Sequence, residues 1–437
     1  MISMQPQPAG LPSGTIGGRR SGRTAAWQWR RLLSSPHRLA FWGACLVLAL
    51  GSLWWGATLA LAAAGHNLPW AVPAPLARAT VMGLGLAPLF VLGMLHTLGS
   101  GWLGMGPVPG RLMLAPVLAL LGGWLMAVVG SHLSAPLAAL GLAAAAVGLA
   151  LGTGLFGLMV MESRVANRDH AVLALLGCAV VVVAQWAVAV MLALRLHGVA
   201  WAVLQAACWG GIGLAMLAVG HRLMKPLAAS DELLPAVWRS RQVLAAMAAM
   251  LVCQAVLVLG EGLVGGSVSA LPAALRAALE LPTGAWLLAL ALRWGWRQRA
   301  GARLFGLLCL GLAWLGVAFT LSGVSHALMS SSGGALSLGD APLQALLMGF
   351  VGSMLLASAT ATVRALSGRA VLADNWVWLM AWALQVAALA QVCAALWPQA
   401  ATPLQLLAAQ FWLGSMGAWV LRHLAWLGQP RVDGAPN

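Results

Sequence analysis

Imidazoles are the side chains here best suited to holding a haem or a metal ion, and the sequence has nine: His37, His66, His96, His132, His170, His197, His221, His326 and His423. Neutral imidazole is the commonest metal ligand among the side chains, and histidine also serves as an axial haem ligand. The spacing builds no local site, because no two histidines lie four residues apart on one helix face. A lone histidine at the end of an apolar block is explained well enough by polar contacts at a membrane interface. His96 and His221 fall at comparable ends of two blocks and are the best pair for axial or copper ligation.

Charged side chains inside apolar blocks are the second source of chemistry, since each is costly in lipid. Glu261 lies just beyond the seventh block; Arg276 and Glu280 lie near the start of the eighth, four residues apart. That spacing allows a pair on one helix face, so a self-neutralising pair in the headgroup region accounts for both. Asp340 opens the tenth block, where a carboxylate suits the helix dipole. No buried acidic relay of the kind used in proton coupling is evident. The six cysteines (Cys45, Cys178, Cys208, Cys253, Cys309, Cys393) fall in different blocks with no Cys-x-x-Cys, which reads as packing. No phosphate-binding loop, dinucleotide fingerprint, zinc-protease motif or nucleophile elbow stands in a credible context, and nothing indicates a soluble catalytic domain.

The elements that position these residues follow from composition. Residues of the types Ala, Val, Ile, Leu, Met, Phe, Trp, Tyr and Cys make up 61% of the 437 positions, and only 8% are charged, against roughly 25% in soluble domains. About 20 apolar residues cross a bilayer as a helix. Such blocks occur at 39–64, 79–98, 111–130, 134–160, 170–194, 199–220, 242–260, 270–292, 304–324, 341–363, 375–395 and 403–421. The predicted fold is therefore all-α, a polytopic bundle of about twelve transmembrane spans. Pro88 and Pro282 are candidate interruptions.

The basic residues supply a check. With the N-terminus cytoplasmic, alternate connections and the termini hold 21 of the 24 lysines and arginines, leaving only Arg78, Arg195 and Arg276 elsewhere. That asymmetry predicts both termini inside. The net charge of +15 is thus spread over short loops, not over a nucleic-acid-binding face. The lipid bilayer is the implied partner, and the inner membrane of a bacterium the expected location. Residues 1–38 read as a disordered basic tail, 39–427 as one membrane domain and 428–437 as a short tail. The tail precedes an apolar block long enough to be retained as an anchor, not cleaved. The 23 tryptophans and absent tyrosine suit interfacial belts, with Trp54, Trp55, Trp102, Trp294 and Trp296 near span ends. Gly148-x-x-x-Gly152 and the Gly210, Gly211, Gly213 and Gly220 series suit close helix packing.

Several stretches resemble the NnrS family of bacterial multi-span membrane proteins. They are Pro36-His37-Arg38, the stretch from Ala87-Pro88-Leu89-Phe90 through Trp102-Leu103-Gly104 to Pro107-Val108, Gly220-His221-Arg222-Leu223-Met224, and residues 345–369 from Ala345-Leu346 through Gly349-Phe350 and Gly352-Ser353 to Ser367-Gly368-Arg369. The resemblance runs from about 36 to 425. It implies a twelve-helix fold, haem and copper as cofactors, and a role in nitric oxide or nitrosative-stress responses or denitrification-linked metabolism. His221 is the matched histidine, a candidate haem and metal ligand, with His96 as its companion. The family pattern carries histidine where this chain has Arg78, Gln344 and Leu366. An arginine stays protonated and does not ordinarily coordinate metal.

Two other functions fit a twelve-span chain: a transporter or channel, which a polar central cavity would favour, and a non-catalytic membrane partner that keeps the fold without its ligands. The sequence leaves open whether the chain is an enzyme.

Overall fold

The computed structural model describes residues 27–228, 241–264, 270–297 and 302–433. Twelve helices are long and apolar enough to cross a membrane: α1 Pro36–Ala63, α2 Ala74–Trp102, α3 Gly110–Leu133, α4 Ala135–Glu162, α5 Asp169–Ala193, α6 His197–Leu227, α7 Arg241–Val264, α8 Leu271–Gly295, α9 Arg303–Ser331, α10 Ala341–Leu366, α11 Asn375–Leu396 and α12 Pro398–Leu427. No strand occurs among the described residues. Lipid supplies no hydrogen-bond partners, so a spanning backbone must close its own hydrogen bonds, and helices do this within each segment.

Each apolar block predicted from the sequence coincides with one helix. The helices overrun the blocks by a few residues, most at α6 and α12, because glycine, histidine and arginine end the hydropathy before they end the helix. The N-terminal boundary differs from the sequence reading. Trp29–Ser34 form a 3-10 turn, and α1 begins at Pro36. Arg38 is buried, donating to the Leu427 carbonyl at 2.9 Å and the Gln429 carbonyl at 2.7 Å. The backbone amide of Gln28 also donates to Gly428. The last part of the basic tail is therefore docked on the end of α12, while residues 1–26 and 434–437 lie outside the described residues. An even number of crossings puts both termini on one face of the bundle, here called the termini side; the opposite face is the far side.

Helices α2, α6 and α10 form the centre. Their apolar stretches are 83%, 89% and 89% buried, against 33–67% in the other nine. Each carries a π-helical stretch in its far-side half: Thr80–Gly85, Cys208–Gly213 and Ala345–Val351. The first and second touch, as do the second and third. A fourth lies in α12 at Leu413–Gly417. π-bulges insert an extra residue into the helical turn and are frequent at functional sites. Pro88 and Pro282 sit within helices without ending them, so the irregularities fall at glycine-containing stretches instead.

Close approach explains some of the glycines. A Cβ on Gly148 of α4 would lie 2.7 Å from the Pro116 carbonyl oxygen of α3. A Cβ on Gly177 of α5 would likewise lie 2.7 Å from the Gly211 carbonyl oxygen of α6. Trp294, expected at an interface, is instead only 4% exposed and belongs to the core.

Candidate functional site

Arg78 stands on the first turn of α2 and Gln344 on the first turn of α10. Both line one far-side cavity of about 80 Å³. The sequence placed these two positions at the same end of the bundle, and the structure brings them to one site. The wall is completed by Ser52 and Trp55 of α1, Gln391 of α11, and Gln405 and Trp412 of α12. The Arg78 guanidinium lies 5.0 Å from the Trp55 ring centre, a cation–π distance. The Trp412 indole donates to Ser52 Oγ at 2.8 Å, so that wall is fixed. The π-helical stretches begin two residues after Arg78 and one after Gln344.

A second cavity of about 390 Å³ shares Leu343 with the first and is lined by residues of α6, α7, α8, α9 and the connection before α10. Here the structure corrects the sequence reading. Arg276 and Glu280 are not a headgroup pair: they are 5% and 1% exposed, inside the bundle. Arg276 holds Glu280 at 2.7 Å and also pairs with Glu261 of α7. His326 of α9 places Nδ1 2.8 Å from the Glu280 carboxylate and Nε2 3.7 Å from Glu261. Gln254 of α7 donates to Ser322 of α9 at 3.0 Å. Two carboxylates, a guanidinium and an imidazole thus form one buried network across three helices. Spacing within α8 showed only Arg276 and Glu280, because the other two partners arrive from distant sequence.

Asp340 lines the second cavity and interacts electrostatically with Arg78. It is the N-cap residue of α10, at the helix start that the sequence reading gave it, and makes no side-chain capping hydrogen bond. Burial raises its carboxyl above the ordinary carboxylate value, with Arg78 opposing. The two cavities therefore share a wall, and the field of Asp340 in one reaches Arg78 in the other.

The candidate ligands His96 and His221 lie toward the termini side and have different partners. His221 Nδ1 is 2.9 Å from His170 Nε2 on α5, a pairing that was not anticipated. His96 is 1% exposed; its Nδ1 donates to the Leu92 carbonyl at 2.9 Å, and its ring packs edge-on against Phe156 of α4. Neither lines the two cavities above. His423 has the same arrangement as His96, with Nδ1 2.8 Å from the Trp419 carbonyl and its ring stacked on Trp419 at 4.6 Å. Among the described residues, no three His, Cys, Asp or Glu side chains converge as a metal site. Leu366 closes α10 on the termini side, away from Arg78 and Gln344.

The profile of one protein family, described as NnrS protein, matches residues 31–431, nearly the whole chain. No curated protein matches it.

Proposed function

The chain belongs to the NnrS family, and on that premise we propose that it serves a bacterium in its response to nitric oxide and related nitrogen oxides, as a multi-pass protein of the inner membrane with both termini in the cytoplasm. The observation that carries this reading is the length of the match, which includes all twelve spans. The basic residues of the termini-side connections support the orientation. Deleting the gene and challenging cells with a nitric oxide donor tests the role. A longer growth lag, reversed by the intact gene, is expected; growth equal to the parent strain would overturn it.

Haem and copper, which the family resemblance implies, do not fit the residues at 78 and 344. A guanidinium has no lone pair to give, and an amide is a poor ligand. A cavity of about 80 Å³ is also well below the several hundred Å³ of sites for larger ligands. His221 and His96 are the residues that would hold such a group. An absorption spectrum with copper analysis decides whether they do. A Soret band or stoichiometric copper that disappears in His221→Ala or His96→Ala places the group on those rings. A colourless, copper-free protein removes the cofactors and leaves the family and fold intact.

One observation favours a second reading, a transporter or channel. The 390 Å³ cavity carries ionisable groups from α7, α8 and α9 into the far-side half of the bundle, as solute pathways do. Solute-dependent flux in reconstituted vesicles, lost in Arg276→Ala, would establish it. Vesicles as tight as protein-free controls would exclude it.

A further inference from the structure

The smaller cavity has a chemical character independent of the nitric oxide reading. Arg78 makes no hydrogen bond and no ion pair within 4 Å with any described residue; its contacts are the face of Trp55 and the longer-range field of Asp340. Gln344 and Gln391 are 8% and 5% exposed. With Gln405 they line the same space, and none of the three amides hydrogen-bonds to another described residue. Gln344 and Gln391 are buried while Arg78 and Gln405 are partly exposed, and leaving a buried amide without a hydrogen-bond partner is costly. Two buried amides from α10 and α11, with Arg78 of α2 and Gln405 of α12 beside them around one cavity, describe a site whose partner is a ligand.

The donor set defines that ligand. A guanidinium offers five N–H donors and no acceptor, and each amide adds two donors and one acceptor. No carboxylate lines this cavity, so an acceptor-rich anion is favoured and a cation is not. One guanidinium supplies one charge, and Asp340 on the far side of Leu343 opposes a second negative charge. The anion is therefore monovalent. A single water needs about 10–15 Å³ of such space, so about 80 Å³ admits a few heavy atoms. The planar guanidinium fork matches a planar oxyanion bidentately, and Trp55 and Trp412 provide flat walls.

We propose that Arg78, Gln344, Gln391 and Gln405 form a binding site for a small monovalent oxyanion reached from the far side of the membrane. The test is isothermal titration of the purified full chain in detergent with nitrate, formate and inorganic phosphate. Saturable binding of nitrate and formate at one per chain is expected, with phosphate at least about tenfold weaker. Arg78→Gln weakens nitrate binding at least about tenfold, and Arg78→Lys by less, because it keeps the charge and loses the fork. Absence of saturable binding to the wild-type protein, phosphate binding as tight as nitrate, or unchanged affinity in Arg78→Gln would each overturn the site. Should Arg78→Gln fail to yield monodisperse protein, Gln344→Leu and Gln391→Leu decide. Each is expected to weaken nitrate severalfold, and wild-type affinity in both contradicts the proposal.

Discussion

Arg78 and Gln344, on the opening turns of two helices far apart in the chain, share the wall of one cavity. The resemblance read from the sequence implies histidine at both positions, and two imidazoles placed there would face one cavity. Substituting Arg78→His and Gln344→His together is expected to create a copper site, whereas either change alone is not. Copper content after exposure and desalting measures this. Equal copper in the double and single variants would show that the two positions do not converge.

Asp340 sets the field at Arg78. Its carboxyl is raised by burial, so its charge is disfavoured in the folded protein. The sign follows directly: protonation is favoured on folding, and the associated stability is present at low pH and lost as pH rises through the raised value. Anion binding at Arg78 is expected to tighten as pH falls toward that value, because the opposing charge disappears. The groups lining the cavity with Asp340 are Glu261, Arg276 and His326. Asp340→Asn is expected to bind nitrate tighter by a factor of about 2–10 at neutral pH and to flatten the dependence on the acid side of neutrality. Titrations that coincide with wild type across this range would contradict the coupling.

The buried network orders its own variants. Arg276→Ala removes the guanidinium that pairs with both Glu261 and Glu280 and leaves them with His326, which is expected to cost about 3–5 kcal/mol. Glu280→Gln leaves Arg276 with Glu261 and keeps a hydrogen-bonding partner for His326, so it costs less. Thermal unfolding followed by tryptophan fluorescence should rank wild type above Glu280→Gln and Glu280→Gln above Arg276→Ala. The reverse order would mean that the network does not hold α7, α8 and α9 together.

Asp374, just before α11, ties the termini-side ends together. Hydrogen bonds from Arg422, the Val377 amide and Arg364 hold its carboxyl well below the usual carboxylate range. One Arg422 nitrogen reaches it at 2.8 Å, and Arg364, Arg369 and Arg422 all lie over the Trp426 ring. A depressed carboxylate stabilises above its unfolded value and loses that contribution as pH falls through the folded one. The melting temperature of wild type should therefore exceed that of Asp374→Asn at neutral pH. The gap should narrow as pH drops below about 4, and a gap independent of pH would contradict the assignment.

The spans were legible because each crossing needs its own apolar stretch, a local property. The charge alternation then placed 78 and 344 at the same end, and the structure joins them in one cavity. What was not legible depends on contacts between helices. Arg276 and Glu280 announced their i, i+4 relation, but nothing local to α8 pointed to Glu261 or His326. The usable signal was that Glu261, Arg276, Glu280 and His326 all fall at the same ends of the seventh to ninth blocks, a coincidence that the i, i+4 pair alone does not require. Likewise, His221 gave no hint of His170, which reaches it from the start of α5. The π-helical stretches were hidden because glycine, common throughout this chain, marks close packing as well as helical irregularity.

The central claim is that the guanidinium of Arg78 and the amides beside it at the far side receive a monovalent anion. An experimental structure of the full chain prepared in bromide, with the anomalous signal measured, tests it most directly. An anomalous peak is expected within about 3.5 Å of the Arg78 guanidinium and beside the Gln344 amide, lost in Arg78→Gln. A map with no peak there, and with Arg78 in a direct ion pair with Asp340, would contradict it.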